Sequence, residues 1–292
     1  MTIRRNRQNM RFRVGIVTFG DGNLYWKQAS RRVVRNSIKS GYFTKAKFFR
    51  LNDLKDVLFP DEIHYCRTER RGQGYWLWKP AAILSFAKKN QNLDLIMYVD
   101  SGTVLNLNDL TVSRFNEYLE MAFNNGLFAF QTSHLEKDWT KRDLLMRFPD
   151  EYGESNQFLA TNIIGKPADV IELCARWLVI GRLEGHRFID DSPSKSANSP
   201  GFIEHRHDQS ILSLLLKERQ IVGPDQSETF FRDWISEGRS FPIWNMRHVG
   251  STSILNHRIA NWCLRKFDRL ESCFDKAKIN LTKFYKYHKR NC

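Results

Sequence analysis

Three short polar clusters, each set against an apolar run or a helix start, are where this 292-residue chain could do chemistry. In the first, Asp100-Ser101-Gly102 follows the apolar run Leu95-Ile96-Met97-Tyr98-Val99. A carboxylate just past the carboxyl end of a buried strand points into the crevice where α/β sheets hold ligands, and it can take a ribose or sugar hydroxyl or a metal ion. An isolated Asp in such a place also serves simply to cap a turn. In the second, His205-Arg206-His207-Asp208-Gln209-Ser210 opens an apolar helix; Asp208 reads as its N-cap, and Asp208 with Gln209 can also face a sugar or its transferring carbon. In the third, Arg247-His248-Val249-Gly250-Ser251-Thr252, a histidine followed closely by glycine lets backbone approach a diphosphate. Ahead of the first cluster stands Gly74-Tyr75-Trp76-Leu77-Trp78-Lys79-Pro80. Pro80 suits a first helical turn, which displays Trp78 and Lys79 at a helix entrance fit for an anionic phosphate.

Periodicity supplies the elements that must position these groups. Strands are predicted at Arg13 to Phe19, Ala46 to Leu51, Leu93 to Val99, Leu127 to Gln131 and Phe158 to Ile164. Between them fall helices at Trp26 to Ser40, Pro80 to Lys89, Ser113 to Asn124, Lys141 to Phe148 and Ala168 to Ile180. The alternation predicts an α/β domain with a central, mostly parallel sheet flanked by helices. Thr140 reads as a helix cap with Lys141 and Arg142 on a solvated face, and Gln157 is left outside the site. The turn-rich stretch Asp190 to Gly201 is expected to be a mobile loop near the site.

Composition bounds the rest. With 41% hydrophobic residues the chain can fill one core. Five widely spaced cysteines with no Cys-x-x-Cys pair argue against a disulfide framework or zinc ribbon and favour a reducing, cytoplasmic setting. No run approaches the ~18 apolar residues of a membrane span. The net charge of +14 is concentrated at the ends: residues 1–13 hold five arginines and no acid, and residues 257–292 hold ten lysines and arginines against three acids. A basic amino-terminal tail (1–13), a single domain (14–256) and a basic amphipathic helical tail (257–292) are therefore expected. Within the last, Cys263, Phe267, Leu270, Phe274, Ala277, Leu281 and Phe284 form one apolar stripe. Basic tails suit an anionic membrane surface more than they make a groove for nucleic acid.

The order of these elements resembles the nucleotide-sugar glycosyltransferases of the GT-A fold, from about Val14 to Thr252. The block Gly74 to Pro80 resembles an aromatic Trp-Lys-Pro block of bacterial capsule and polysaccharide transferases; Tyr98-Val99-Asp100-Ser101-Gly102 stands where such enzymes carry Asp-x-Asp; His207-Asp208-Gln209-Ser210 resembles their Asp-Gln helix start; and His248-Val249-Gly250 resembles the late His-x-Gly of the glycogenin-like branch. The resemblance implies a GT-A, Rossmann-like single domain and a nucleotide-sugar donor, a uridine diphosphate sugar foremost. It also implies a glycan or lipid-linked acceptor in surface polysaccharide or glycoconjugate synthesis. Base and ribose would meet Thr18, Phe19, Gly20, Asp21 and Asn23. Asp100, Ser101 and Gly102 would meet ribose or sugar, Lys79, His248 and Gly250 the phosphates, and Asp208 and Gln209 the reacting sugar or acceptor. The departure is Gly102, which replaces the second acid of Asp-x-Asp. Either a manganese or magnesium ion is held by Asp100 with His248, or the leaving charge is met by Arg67, Arg70, Arg71 or Lys79. Asp208 could serve as a general base with inversion, or orient the sugar in a retaining route. Two further readings stay open: a basic nucleic-acid-binding protein, and an inactive nucleotide-sugar-binding module of the same fold.

Overall fold

The structure is a computed structural model that describes residues 11–234 and 236–246. A five-stranded sheet with order β2-β1-β3-β6-β5 forms its centre. Its strands are β1 (Val14–Phe19), β2 (Lys45–Phe49), β3 (Leu95–Val99), β5 (Leu127–Leu135) and β6 (Asn156–Gly165). β1 runs parallel to β2 and β3, whereas β6 is antiparallel to both β3 and β5, so four strands share a direction and one is reversed. A two-stranded ladder joins β4 (Val104–Leu105) to β7 (Ile243–Trp244), a pairing that no sequence signal announced.

Side-chain alternation divides the core into two layers. Leu95, Met97 and Val99 of β3 and Phe128 and Phe130 of β5 face a layer with Phe115, Tyr118 and Leu119 of α4 (Val112–Asn125) and Val33 of α1 (Leu24–Ser40). Ile96, Tyr98, Leu127 and Ala129 face the other layer, filled by α2 (Pro60–Thr68), α3 (Trp78–Lys88), α5 (Pro167–His186) and α6 (Asp208–Glu218), with Trp177 fully buried in it. Both faces are covered, which is why β1 and β3 read as continuous apolar runs. The predicted strands and most predicted helices are present. The helix predicted over Lys141 to Phe148 is one turn, Arg142–Leu145, and α2 was not predicted. Cys66 and Cys174 are buried free thiols, and burial pushes the Cys66 thiol up to about 12. None of the described helices is long and apolar enough to cross a membrane.

A buried polar network braces the carboxyl side of the sheet. The Glu136 carboxylate, fully buried where β5 ends, takes the Lys217 ammonium of α6 at 2.6 Å, the Thr140 hydroxyl at 2.6 Å and the Gln157 amide at 2.8 Å, together with the Ser213 hydroxyl. Thr140 thus does not cap the helix that follows, whose cap position is Lys141, and its hydroxyl closes this network. Lys141 is buried, not solvated: its ammonium donates to the carbonyls of Asp190 (3.0 Å) and Ser192 (3.1 Å). Asp143 accepts the backbone N–H groups of Lys195 (2.7 Å) and Ser196 (3.0 Å), and Asn198 accepts that of Arg142 (2.8 Å). The Asp190 to Gly201 stretch, expected to be mobile, is therefore pinned along its length to residues 141–143. Gln157 is fully buried within this network.

Removing one partner of a buried ion pair strands the other charge, at a cost of about 3–5 kcal/mol. Lys217→Met is expected to lower unfolding stability by that order in urea titration, and Glu136→Gln combined with it is expected to recover part of the loss.

Candidate functional site

The site begins where β1 stops. Gly20 follows Phe19, and a Cβ there would stand 2.0 Å from the Ser30 hydroxyl and 2.5 Å from the Trp26 carbonyl, so the chain can lie this close to α1 only as glycine. Asn23 caps α1, its side-chain oxygen accepting the Trp26 N–H at 3.1 Å. The Asp21 carboxylate accepts the Leu51 N–H at 2.9 Å and pairs with Lys27 at 3.6 Å.

Next to this loop the chain makes a turn of opposite hand. Gly72, Gln73, Gly74, Tyr75 and Trp76 all have positive φ, with hydrogen bonds from Tyr75 N–H to Arg71 O (2.9 Å) and Trp76 N–H to Gly72 O (3.2 Å). Left-handed geometry costs ~1–2 kcal/mol at each non-glycine residue. Tertiary contacts offset that cost. Gly74 packs where a Cβ would fall 2.8 Å from Cys66, and the Trp78 indole N–H holds the Gly72 carbonyl at 2.8 Å. The Trp78 ring stacks on Phe19 with centroids 3.8 Å apart. Trp78 and Lys79 are thus buried in the fold; neither is displayed at an open helix entrance.

From that turn Lys79 reaches the centre of the site. Its ammonium lies 2.6 Å from Asp208 Oδ2 and 3.4 Å from Asp100 Oδ1, and it donates to the Ala160 carbonyl at 3.2 Å. The Tyr98 hydroxyl, two residues before Asp100 on β3, donates to Asp100 Oδ1 at 2.6 Å. Burial followed by the Asp100 charge keeps the Tyr98 phenol well above its ordinary range, so it remains a donor. Lys79 is raised despite its burial, because two carboxylates face it. Burial pushes the Asp208 carboxyl up to about 6, against the opposing pull of Lys79. Lys79 lines the cleft and, beyond the sequence reading, joins two acids there.

Asp208 is not the helix cap that its sequence position suggests. Asp208 is the first residue of α6, and the cap position belongs to His207, at φ 52° and ψ −117°. Gln209 is a brace, its amide donating to Gln157 at 2.8 Å. Thr18 is fully buried and does not reach the cleft. The turn after Asp100 is held from beneath by the buried Arg32, which donates to the carbonyls of Ser101 (2.8 Å) and Thr103 (3.3 Å) and whose burial lowers it to about 10. Asn245, linked to Thr103 at 3.2 Å and to Asn162 at 2.8 Å, fixes the same turn from the side.

Phe19, Gly20, Asp21, Asn23, Lys79, Asp100, Ser101, Gly102, Asp208 and Gln209 are thereby brought together along one cleft of ≈ 1120 Å³. Its volume is that of a site for a large ligand. Arg70 and Arg71 also line it, whereas Arg67 does not and is bonded to Asn52 at 2.6 Å. Acids from Asp21 to Asp225 share the wall with these arginines, unlike a groove built for a polyanion.

No protein-family model matches the chain, and no curated protein matches it. Similar solved structures include a glycosyltransferase involved in the glycosylation of the major capsid of PBCV-1, at 10% identity over 80% of this chain and 92% of that one, with a TM-score of 0.47. The WbbM bifunctional glycosyltransferase aligns at 12% identity over 81% of this chain and 46% of that one, with a TM-score of 0.43. Mouse xyloside xylosyltransferase 1 aligns at 13% identity over 80% of this chain and 96% of that one, with a TM-score of 0.40.

Among the described residues no three His, Cys, Asp or Glu side chains gather as a metal site. At Asp100, Oδ1 is taken up by Tyr98 and by the Lys79 ammonium, which leaves Oδ2 as the oxygen that could face a cation. His248 and Gly250, called for metal and phosphate, lie outside the described residues, as do most of the amino-terminal tail and all of residues 257–292. Sequence reasoning missed Tyr98, Arg32 and Asn245. For Tyr98 the signal was present, since residues two apart on a strand share a face; the others are joined to the site only by tertiary contact.

Removing the Lys79 charge leaves the buried Asp208 carboxylate without its cation, beside the partly exposed Asp100. Lys79→Met is expected to cost about 3–5 kcal/mol in urea unfolding, and Asp208→Asn added to it is expected to restore part of that loss in a double-mutant cycle.

Proposed function

We propose that this protein is a glycosyltransferase that moves a sugar from a nucleotide diphosphate donor, with uridine diphosphate sugars the first to test, to a glycan or lipid-linked acceptor. The observation that carries the proposal is a buried carboxyl on a large cleft, Asp208, anchored 2.6 Å from Lys79 and titrating at about 6. A proton acceptor tuned to the working pH is what a displacement by a sugar hydroxyl requires.

In glycosyl transfer the anomeric bond breaks through an oxocarbenium-like state, and negative charge grows on the departing group. In this reading the loop Phe19 to Asn23 takes the nucleoside, and Asp100, oriented by Tyr98 and Lys79, takes donor hydroxyls with the face of its carboxylate turned from them. Arg70 and Arg71 meet the diphosphate, where fixed cations act on charge as it develops. The acceptor oxygen bonds to the anomeric carbon as its proton passes to Asp208, and the bond to the diphosphate breaks with its electron pair on the leaving oxygen. The reaction then inverts the anomeric centre. Lys79 keeps its proton throughout and holds the two acids apart.

Asp208→Asn is expected to lower kcat by about 10²–10⁴-fold while nucleotide affinity stays within about two-fold. Transfer assays on a panel of nucleotide sugars, with nucleotide binding followed by thermal melting, measure both, and full activity in the variant would refute the role. Because the carboxyl must be ionised to accept a proton, kcat/KM is expected to fall about tenfold per unit as pH drops below about 6, and the acid limb to disappear from the residual activity of Asp208→Asn.

A further inference from the structure

One carboxylate in the cleft is poorly explained by the chemistry above. Glu204 lines the cleft beside Arg70, Arg71 and Arg206, and its side chain is 42% exposed. Its two oxygens are shared between guanidiniums, with Arg71 Nη2 at 3.4 Å on Oε2 and Arg206 Nε at 3.0 Å on Oε1. Both cations are held independently of it. The Arg206 guanidinium lies 3.9 Å over the Trp139 ring, and Arg71, at the root of the left-handed turn, has Nη1 3.1 Å from each oxygen of Asp191.

A pair of pre-set guanidiniums on one cleft wall has the composition of a site for a phosphate-bearing anion. What occupies it is the protein's own carboxylate.

We propose that Glu204 is a displaceable stand-in for the donor's diphosphate. In the free protein it neutralises Arg71 and Arg206; when a diphosphate binds, its oxygens replace Glu204 on those two side chains and Glu204 turns to solvent. The exchange is readily reversible, because an exposed ion pair of this kind changes an equilibrium constant by no more than about five-fold, whereas a diphosphate brings more charge and more acceptor oxygens to the same donors. The proposal rests on the donor reading above and deepens it: affinity for the diphosphate is set by competition with an internal anion.

The test is calorimetric titration of the full chain with inorganic pyrophosphate, and with a nucleoside diphosphate, comparing wild type with Glu204→Gln and Arg206→Gln. Glu204→Gln is expected to bind pyrophosphate about three- to five-fold more tightly, and the gain to shrink as salt is raised toward ~1 M, where screening acts within ~3 Å. Arg206→Gln is expected to weaken binding about tenfold, as loss of a charge-assisted contact does. Melting temperatures near wild type show that both variants fold. Unchanged or weaker binding in Glu204→Gln overturns the proposal, as does failure of wild type and variant alike to bind pyrophosphate. The titration needs no sugar transfer, so tighter binding by Glu204→Gln in a protein inactive on every donor sinks the transferase reading alone, and transfer without the pyrophosphate effect sinks this one alone.

Discussion

The contact on which the rest of the site depends is the Lys79 ammonium between Asp208 and Asp100. Three elements distant in sequence, the start of α3, the end of β3 and the start of α6, each deliver one charged group to the same small volume. Isolated burial of the Lys79 or the Asp208 charge would be prohibitive, so these two are tolerable only together, with the partly exposed Asp100 beside them. Their joint presence also sets their chemistry. Asp100 is shared between a phenol and an ammonium, and Asp208, more deeply buried, is pushed up to about 6. Two carboxyls a short distance apart are thus given different environments, which is how one scaffold separates a binding acid from a proton-accepting one.

The surroundings keep that arrangement from relaxing. Reversal of β6 sends Gln157, Ala160 and Thr161 back along the carboxyl ends of β3 and β5, where Ala160 offers its carbonyl to Lys79 and Thr161 pairs with the Asp100 N–H at 2.9 Å. Glu136 then ties β6 to α6 through Gln157, Ser213 and Lys217, so the helix that begins with Asp208 cannot slide along its axis without breaking a buried network. On the opposite layer Arg32 holds the turn that carries Asp100.

Much of this could be read from the chain itself, because β1 and β3 are apolar on both faces and the acids of the site fall at a strand end and a helix start. Asp100, Asp208 and the block ending in Lys79 were found that way, and the cleft contains all three. What could not be read was how they meet. Lys79 beside Pro80 looks like a phosphate contact when only the helix entrance is considered, and nothing local says that two acids 21 and 129 residues away take up its charge. Lys141 and the Asp190 to Gly201 stretch failed for the same reason: a lysine in a polar context reads as solvated and a Ser-Pro-rich loop as free until the lysine is seen buried under the loop's carbonyls. The two short strands β4 and β7 carry too few residues to show a period, and their pairing is set by the chain's return past Asn106 and Asn245.

The turn from Gly72 to Trp76 has a further consequence for how the molecule assembles. An L-chain visits this mirror-image basin rarely when free, so the segment has no local tendency to prepare its own shape. Its conformation is imposed by Cys66 beneath Gly74, by Trp78 on the Gly72 carbonyl and by the His207 ring facing Tyr75 and Trp76. The rim of the cleft is therefore a reporter on the integrity of everything beneath it: the arginines that begin this turn take up their positions only in a molecule whose α2, α3 and α6 are already docked.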